Sequence, residues 1–216
     1  MKVEISAHEP RRSPLQARSL MSRRRMVEAA LRLLDQRDID QISVRDIVAE
    51  GGTSNGSFYH RFGTKERFFS YLIDDMLERR EQAAAQEQAD ETISVAALPE
   101  VLARSAIANF RDHAGLLRSA IRLHIVGDSC WDRVNAMARR IVNGYLQRLS
   151  GALGRPLSPL ECDRIYFAFT WLYGLLAHRT LKLNVVYGQA VPDEVFEEEA
   201  VRGFQQLIDR ALDPSM

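Results

Sequence analysis

The feature that most constrains this chain is a pair of adjacent glycines, Gly51–Gly52, between two short segments with helical apolar spacing. Upstream, Ser43 is followed three residues later by Asp46. This pairing is typical of a helix start, because the hydroxyl accepts a free backbone amide and the carboxylate complements the positive helix end. The glycines then end this helix and allow left-handed backbone angles. The stretch SVRDIVAEGGTSNGSFYHRF, residues 43–62, therefore predicts two helices joined by a tight turn.

The second helix of this pair starts with side chains that suit close contact with another surface. Ser54 is placed to cap it, and residues 55–57 are small and polar. Phe58 and Phe62 lie four residues apart and are expected to face inward. Hydroxyl-bearing and cationic residues 59–61 remain at the edge. Such a helix suits the major groove of DNA, although an ordinary helical hairpin also accounts for the spacing.

Composition places the chain among soluble globular proteins. Of its 216 residues, 46% are hydrophobic and 27% are charged. No apolar run approaches the ~18 residues needed to span a bilayer, and the N-terminus lacks the apolar core of a secretory signal. The two cysteines, Cys130 and Cys162, cannot form a disulfide framework, and no cysteine–histidine spacing indicates zinc. We therefore expect a cytoplasmic protein with no metal and no cofactor.

The formal net charge of zero hides an asymmetry along the chain. Residues 1–65 contain 12 Lys and Arg against 8 Asp and Glu, whereas residues 66–216 contain 17 against 21. The first part is therefore +4 and the remainder −4. The positive part contains the predicted helix pair, as a module that binds DNA phosphates requires.

The remaining chain shows helical periodicity and no strand-like alternation, which predicts an all-α protein of about nine helices. Residues 1–21 predict a flexible arm. Several arginines lie in this arm or just after it, and they are Arg11, Arg12, Arg18 and Arg23–Arg25. They either contact DNA phosphates or a minor groove, or they are merely solvated. Helices are predicted at 22–38, 65–88, 95–113, 116–126, 131–153, 159–183 and 192–212.

The last two predicted helices indicate a homodimer. Residues 165–178, IYFAFTWLYGLLAH, are apolar on nearly every face, yet too few to cross a membrane. A small helical domain covers one side of such a helix, so we expect a second copy to cover the other side. The last helix offers a second apolar seam. Helices 159–183 and 192–212 thus predict a two-fold four-helix interface, with full burial inside one monomer as the alternative.

Residues 22 to about 77 resemble the DNA-binding domain of the tetracycline-repressor (TetR) family of bacterial transcription regulators. The run ISVRDIVAEGGTSNGSFYHRFGTKERFF is similar to the family pattern of a capped helix, a glycine turn, Ser-x-Gly-x-aromatic-Tyr, a second Phe and a Thr-Lys-Glu helix start. The resemblance implies three parts: an arm (1–21), a helix-turn-helix domain (22–77), and a larger helical domain for effector binding and dimerisation (78–216).

The resemblance also implies which residues contact DNA and which do not. The contacting set is Ser43, Arg45, Thr53, Ser54, Asn55, Gly56, Ser57, Tyr59, His60 and Lys65. Phe58 and Phe62 match buried positions. The sequence departs from the family pattern at two positions. Asp38 replaces the glycine that usually ends the first helix, and it is expected to adopt a positive φ. Thr53 replaces an apolar residue, and either makes a polar contact or packs by its methyl group.

The implied function is a DNA-binding transcriptional regulator, most often a repressor in this family, that a small-molecule effector releases from a near-palindromic double-stranded operator. An apolar or aromatic organic effector is expected. Its predicted pocket residues, which also fit a packed core, are Phe110, Arg118, Ile121, Arg122, Met137, Tyr166, Trp171 and Tyr173. The alternative is a DNA-binding protein without an effector, acting through a protein partner or as an architectural factor. No spacing of acids, bases or nucleophiles indicates an enzyme.

Overall fold

The computed structural model describes residues 14–125, 127, 129–182, 185–186 and 189–213. These residues form nine α-helices, so the predicted all-α class is confirmed. The helices are α1 (Pro14–Gln36), α2 (Val44–Glu50), α3 (Asn55–Phe62), α4 (Lys65–Ala89), α5 (Leu98–Asp112), α6 (Ala114–Ile125), α7 (Cys130–Leu153), α8 (Pro159–Thr180) and α9 (Asp193–Leu212).

The chain divides into two compact units, and the division lies inside α4. The first unit ends at Phe68 and the second begins at Phe69. The predicted limit of the DNA-binding domain, after residue 77, lies further along the same helix and stays a prediction.

The first unit is built by α1 packing against α2 and α2 against α3. Its core consists of fully buried apolar side chains that recur at helical spacing along these elements, as the sequence predicts. Among them are Met26, Ala30, Leu34, Ile47 and Phe58.

The first helix starts earlier than predicted, at Pro14 rather than at Ser22. Residues 14–21 of the predicted arm are thus helical. Proline fits the first turn because its missing amide is not needed there, and the residues after it are mostly good helix formers. Arg11 and Arg12 lie outside the described residues, as does the side chain of Arg18.

The end of α1 also differs from the expectation. Asp38 has a φ of −76° rather than a positive value. It precedes a short 3-10 helix, Ile39–Gln41, and its backbone amide donates to the Gln41 side chain over 3.2 Å. The chain therefore leaves α1 through an extended residue, and no left-handed residue is needed at this position.

In the second unit, α9 packs against both α8 and α5, and α6 packs against α7 and α8. An aromatic cluster occupies the middle of this unit. The ring centroids of Phe169 and Phe204 are 5.0 Å apart, and those of Tyr145 and Phe169 are 5.9 Å apart. Burial raises the pKa of the Tyr145 hydroxyl. The apolar positions of three helices thus meet in one core.

The start of α8 is capped as the sequence predicts, with Pro159 in the first helical position. The Ser158 hydroxyl accepts from the Glu161 amide, and the Glu161 carboxylate accepts from the Ser158 amide. Arg155 also donates to this carboxylate over 2.6 Å. The hydrogen bond from Arg155 and those from Ser158 lower the pKa of Glu161 to about 2.

The connection between α8 and α9 contains the one strand pair among the described residues. Strand β1 (Val185–Val186) pairs antiparallel with β2 (Gln189–Ala190). Two residues per strand are too few to produce a readable alternation, which is why the sequence does not reveal the pair. No helix in the described ranges is long and apolar enough to cross a membrane.

The carboxyl end of α4 is held by one side chain of α7. The Arg148 guanidinium donates to the carbonyls of Glu87 at 3.1 Å, Gln88 at 2.5 Å and Asp90 at 2.8 Å, and also to that of Ile93. Helix ends leave carbonyls without intrahelical donors. Arg148 supplies these donors and so joins the end of α4 and the following turn to α7.

We expect Arg148→Gln to lower the free energy of unfolding by about 2 kcal/mol, because charged hydrogen bonds to these carbonyls are lost. Denaturant titration followed by circular dichroism measures the change. The matched control is Arg139→Gln on the same helix, where the side chain makes no described hydrogen bond or ion pair. Equal effects of the two substitutions would show that Arg148 does not secure this end of α4.

Candidate functional site

The two helices of the predicted DNA-binding pair are each capped by serine. In α2, the Ser43 hydroxyl accepts from the Asp46 amide at 3.2 Å, and the Asp46 carboxylate accepts from the Ser43 amide at 2.8 Å. The hydrogen bond from the Ser43 hydroxyl is the main cause that lowers the pKa of Asp46. In α3, the Ser54 hydroxyl accepts from the Ser57 amide at 3.2 Å. Both predicted caps are confirmed.

The two positions of the turn need glycine for different structural reasons. Only Gly52 is left-handed, with a φ of +58°. Gly51 has a φ of −84°, but a Cβ there would lie 3.1 Å from the backbone oxygens of Arg25 and Ile47. Gly51 thus permits the close approach of α1 to the end of α2, whereas Gly52 permits the turn.

The inner face of α3 is fixed by aromatic packing. The rings of Phe58 and Phe62 both contact Phe68, with centroid separations of 5.1 and 4.5 Å. All three side chains are buried. The prediction that Phe58 and Phe62 face the core is confirmed, and these contacts determine which face of α3 points to solvent.

The predicted DNA-contact residues lie on the opposite side of this packing. Seven of the ten residues are exposed and three are half-buried, so none is a fully buried core residue. The exposed ones are Ser43, Arg45, Ser54, Asn55, Gly56, Tyr59 and His60, and the half-buried ones are Thr53, Ser57 and Lys65. Whether each of them contacts DNA stays a prediction.

Polar groups on this outer face are available to a ligand. The side chains of Asn55 and His60 and the hydroxyl of Tyr59 make no hydrogen bond within the described part of the chain. Tyr59 is 53% exposed, with its ring packed edge-on against Phe58 at 5.6 Å. Its hydroxyl therefore projects from a ring that the core holds in place.

Packing within the protein does not explain why position 56 is a glycine. A Cβ at this position would meet no protein atom within 4 Å, and the residue lies in the first turn of an α-helix, where alanine is intrinsically preferred. The free protein therefore does not need glycine here. A second surface that approaches the α3 backbone closely would need it.

The structure adds residues of α1 that the predicted set does not contain. A groove of about 460 Å³ runs between α1 and the start of α3, lined by Met21, Ser22, Arg25, Thr53 and Ser57 among others. The hydroxyls of Ser22 and Ser57 are 3.3 Å apart. The Thr53 hydroxyl is buried and has no hydrogen-bond partner among the described residues.

Arginines near this groove are held in different ways. Arg25 lines the groove and is exposed, whereas Arg24 pairs with Glu28 at 2.7 Å. Arg61 of α3 donates to the Ser19 hydroxyl of α1 over 3.0 Å. Ser19 and Met21 belong to the first two turns of α1, which the sequence did not predict, so these two residues could be associated with α3 only once the earlier helix start was known.

The predicted effector residues are not brought into one cavity. Phe110 and Arg118 line a cavity of about 340 Å³ between α5, α6, α8 and the start of α9. Tyr166 and Tyr173 line a second one, of about 420 Å³, between α7 and α8. The remaining four line neither: Met137 is buried in the core, Ile121 and Trp171 are half-buried, and Arg122 is exposed.

The Trp171 side chain of α8 packs against α9. Its ring lies against α9 at Gly203, where an added Cβ would be 2.7 Å from a ring carbon. The same helix also exposes large apolar side chains, with Leu160 57% and Phe167 61% exposed. Arg164, Phe167, Leu207, Arg210 and Ala211 line a groove of about 260 Å³ between α8 and α9.

No group of three or more His, Cys, Asp or Glu side chains within the described ranges is arranged to hold a metal ion. Cys130 is buried and Cys162 is half-buried, and both are free thiols.

The comparisons with solved structures show the same fold. A protein assigned to the TetR-family transcriptional regulators, from Mesorhizobium loti MAFF303099, superposes with a TM-score of 0.68 at 17% identity, covering 90% of this chain and 96% of the other. A TerR/AcrR-family regulator from Aquifex aeolicus VF5 superposes with a TM-score of 0.62 at 15% identity, covering 86% of this chain and 99% of the other. The transcriptional regulator FadR from Bacillus subtilis, in complex with stearoyl-CoA, superposes with a TM-score of 0.61 at 12% identity, covering 88% of this chain and 97% of the other.

The sequence has no match among curated proteins. Residues 26–72, however, match the family model described as bacterial regulatory proteins, tetR family. This segment runs from the buried Met26 of α1 through both capped helices to Leu72 of α4, and the solved relatives are transcriptional regulators rather than enzymes. The chain therefore contains a segment similar to the tetR family of bacterial regulatory proteins, and its whole length shares the fold of solved transcriptional regulators.

Proposed function

We propose that this protein is a DNA-binding regulator of the tetR family, that it represses transcription as a homodimer bound to a near-palindromic DNA operator, and that a small-molecule effector releases it. The observation that carries the proposal is the division of α3 into a buried aromatic face and an exposed polar face with the open Gly56 between Asn55 and Ser57. A helix with these two faces presents hydrogen-bonding groups to the base edges of the major groove.

On the outer face, different residues are suited to different parts of the DNA. Asn55 and Ser57 belong to the first turn of α3, the part of a recognition helix that contacts base edges in this type of docking. Tyr59, His60 and Lys65 lie further from that turn and suit phosphate oxygens. Arg25, beside the groove of α1, adds a cation whose contact with a phosphate would be independent of sequence.

Dimerisation is supported by the exposed apolar side of α8. Leu160, Arg164, Phe167, Trp171 and Gly174 recur at alternating spacings of four and three residues, which places them along one face. With Leu207 of α9 they form a two-helix surface that a two-fold partner would cover. Two copies would present their α3 helices to half-sites about one helical turn, ~34 Å, apart.

Effector release is supported by the two cavities of the second unit, about 340 and 420 Å³ and partly open to solvent. Both lie in the range of small-molecule sites, and FadR of the same fold was solved with stearoyl-CoA. An effector must bind the released state roughly 10⁴-fold more tightly than the DNA-bound state to move most of the protein between them. A protein without an effector is the second candidate, and these cavities disfavour it.

Selection of bound fragments from random DNA at a stated salt concentration tests the proposed function directly. We expect a near-palindromic sequence whose half-site centres are 10–10.5 base pairs apart or a multiple of this. Recovery of sequences without symmetry, or of no enriched sequence, would contradict the dimeric operator.

We expect Gly56→Ala to weaken operator binding by about tenfold or more, because the methyl group overlaps the DNA surface that the backbone approaches. The midpoint of thermal unfolding should stay unchanged or rise slightly, since alanine is the better helix former. Gly151→Ala on α7 is the matched control, because its Cβ also meets no atom within 4 Å. Fluorescence anisotropy with labelled operator gives the affinities, and an unchanged affinity for Gly56→Ala would refute the close approach.

Substitutions at Tyr59 and Asn55 should separate phosphate contacts from base contacts. Tyr59→Phe removes only the hydroxyl and should lower affinity for operator and unrelated DNA alike, by about 1 kcal/mol. Asn55→Ala should lower operator affinity by about 1–3 kcal/mol and leave binding to unrelated DNA unchanged. Competition anisotropy with both DNAs measures these differences. If the two variants gave the same pattern, the assignment of roles along α3 would be wrong.

Phe167→Glu should convert the dimer to monomer, because a carboxylate would replace an apolar ring in the proposed interface. Helical content should be retained, since Phe167 is exposed in the single chain. Ile125→Glu, at an apolar position on α6 that is even more exposed, is the control and should stay dimeric. Sedimentation velocity gives the oligomeric state. A dimeric Phe167→Glu variant would place the interface elsewhere.

A further inference from the structure

The cavity between α5, α6, α8 and the start of α9 combines an apolar floor with a charged rim. The floor consists of Ile107, Phe110 and Leu176, which are all buried, together with the half-buried Phe196. Its volume of about 340 Å³ lies near the lower end of the range for small-molecule sites. The floor alone would accept many apolar ligands, so the rim decides which of them bind.

The rim is richer in cations than in anions. Arg111, Arg118, Arg179 and Lys182 line the cavity, against two carboxylates, those of Asp193 and Glu197. Each carboxylate is engaged by one arginine. Arg111 donates to Glu197 at 2.8 Å and also contacts Asp112 outside the cavity at 3.4 Å, and Arg179 donates to Asp193. The formal charges of the lining side chains sum to +2 when the buried Arg118, which has an interaction of its own, is counted, and to +1 without it.

One of these arginines, Arg179, is held in position by two neighbours besides Asp193. The Arg179 guanidinium lies 4.3 Å above the ring of Phe196 and donates to the Val191 carbonyl at 3.0 Å. Stacking on an aromatic face and a fixed backbone bond both reduce the freedom of the side chain. The cation is thus placed at the edge of the apolar floor before any ligand arrives.

Lys182 is placed by the backbone rather than by side-chain contacts. It has a φ of +60°, the one positive φ among the described non-glycine residues, and its amide donates to the Arg179 carbonyl at 2.8 Å. Its side chain is exposed, and its ammonium makes no hydrogen bond or ion pair with the described residues. The turn after α8 therefore brings an available cation to the cavity mouth.

We propose that this cavity binds a small organic carboxylate, with its apolar body on the Phe110 side and its carboxylate at the cationic rim. Arginine forks and a mobile ammonium are the groups that bind carboxylates in proteins. The inference deepens the proposed function, because it names the chemical class of the effector, and it rests on that function only for the link to DNA release.

The second cavity supplies an internal contrast. Its lining is mostly aromatic and apolar, with Trp131, Phe169 and Tyr173, and Arg139 is its one charged member. A neutral aromatic compound fits such a lining better than an anion does, because a ligand carboxylate would have one cation to meet. Arg139 is exposed and makes no described ion pair, so it is a matched control for Lys182.

Isothermal titration calorimetry on the full chain without DNA, at a fixed physiological ionic strength, tests this proposal. The probes are three carboxylates and their neutral amides: octanoate and octanamide, 4-phenylbutyrate and 4-phenylbutyramide, indole-3-acetate and indole-3-acetamide. We expect at least one carboxylate to bind roughly tenfold more tightly than its amide, the contribution of one charge-assisted hydrogen bond. In Lys182→Gln this preference should fall severalfold, and in Arg139→Gln it should be unchanged.

Three outcomes would overturn the proposal: no carboxylate binds more tightly than its amide, Lys182→Gln keeps the full preference, or Arg139→Gln alone loses it. A second variant, Ala114→Phe, fills part of the cavity and should weaken carboxylates and amides together. The same samples are then tested for operator binding. Carboxylate binding without any operator binding would refute the proposed function and leave this inference standing, whereas operator binding without carboxylate preference would do the reverse.

Discussion

The packing of Phe58 and Phe62 against Phe68 is the interaction on which the first unit and its proposed DNA-binding face depend. An eight-residue helix is too short to be stable alone in water, so α3 exists because its aromatic face is buried. The same burial sets the rotation of the helix about its axis. Asn55, Gly56 and Tyr59 are exposed because Phe58 and Phe62 are not, and the presentation of these groups is therefore a consequence of the core.

Local signals in the sequence were sufficient where a short-range interaction decides the structure. The Ser43–Asp46 pair predicted the start of α2, and its capping box is present because it involves residues only three apart; Ser158 and Glu161 form a second such box at the start of α8. The glycine pair predicted the turn, although it could not show that Gly51 is required by the carbonyl of Arg25 on another helix.

Long-range and opposing effects account for what the sequence did not show. Ser22 has the residue type of a cap, yet α1 continues through it, and its hydroxyl lies beside Ser57 instead. Asp38 was expected to take over the backbone role of a glycine, but a 3-10 turn made that role unnecessary. The predicted effector residues are spread over several predicted helices, and cavity lining depends on how these helices pack. Only Phe110 and Arg118 meet in one cavity, and Tyr166 and Tyr173 in the other.

Helices α8 and α9 contribute to two surfaces at once. Leu176, Arg179 and Phe196 line the smaller cavity, while Phe167 and Leu207 on the same two helices line the exposed groove. Binding equilibria that share a structural element are thermodynamically linked, and the linkage is reciprocal. If the exposed groove is covered by a second copy, as proposed, a ligand that favours one arrangement of these helices changes the monomer–dimer equilibrium, and the apparent ligand affinity varies with protein concentration. The cellular abundance of the protein would then set its sensitivity to the ligand.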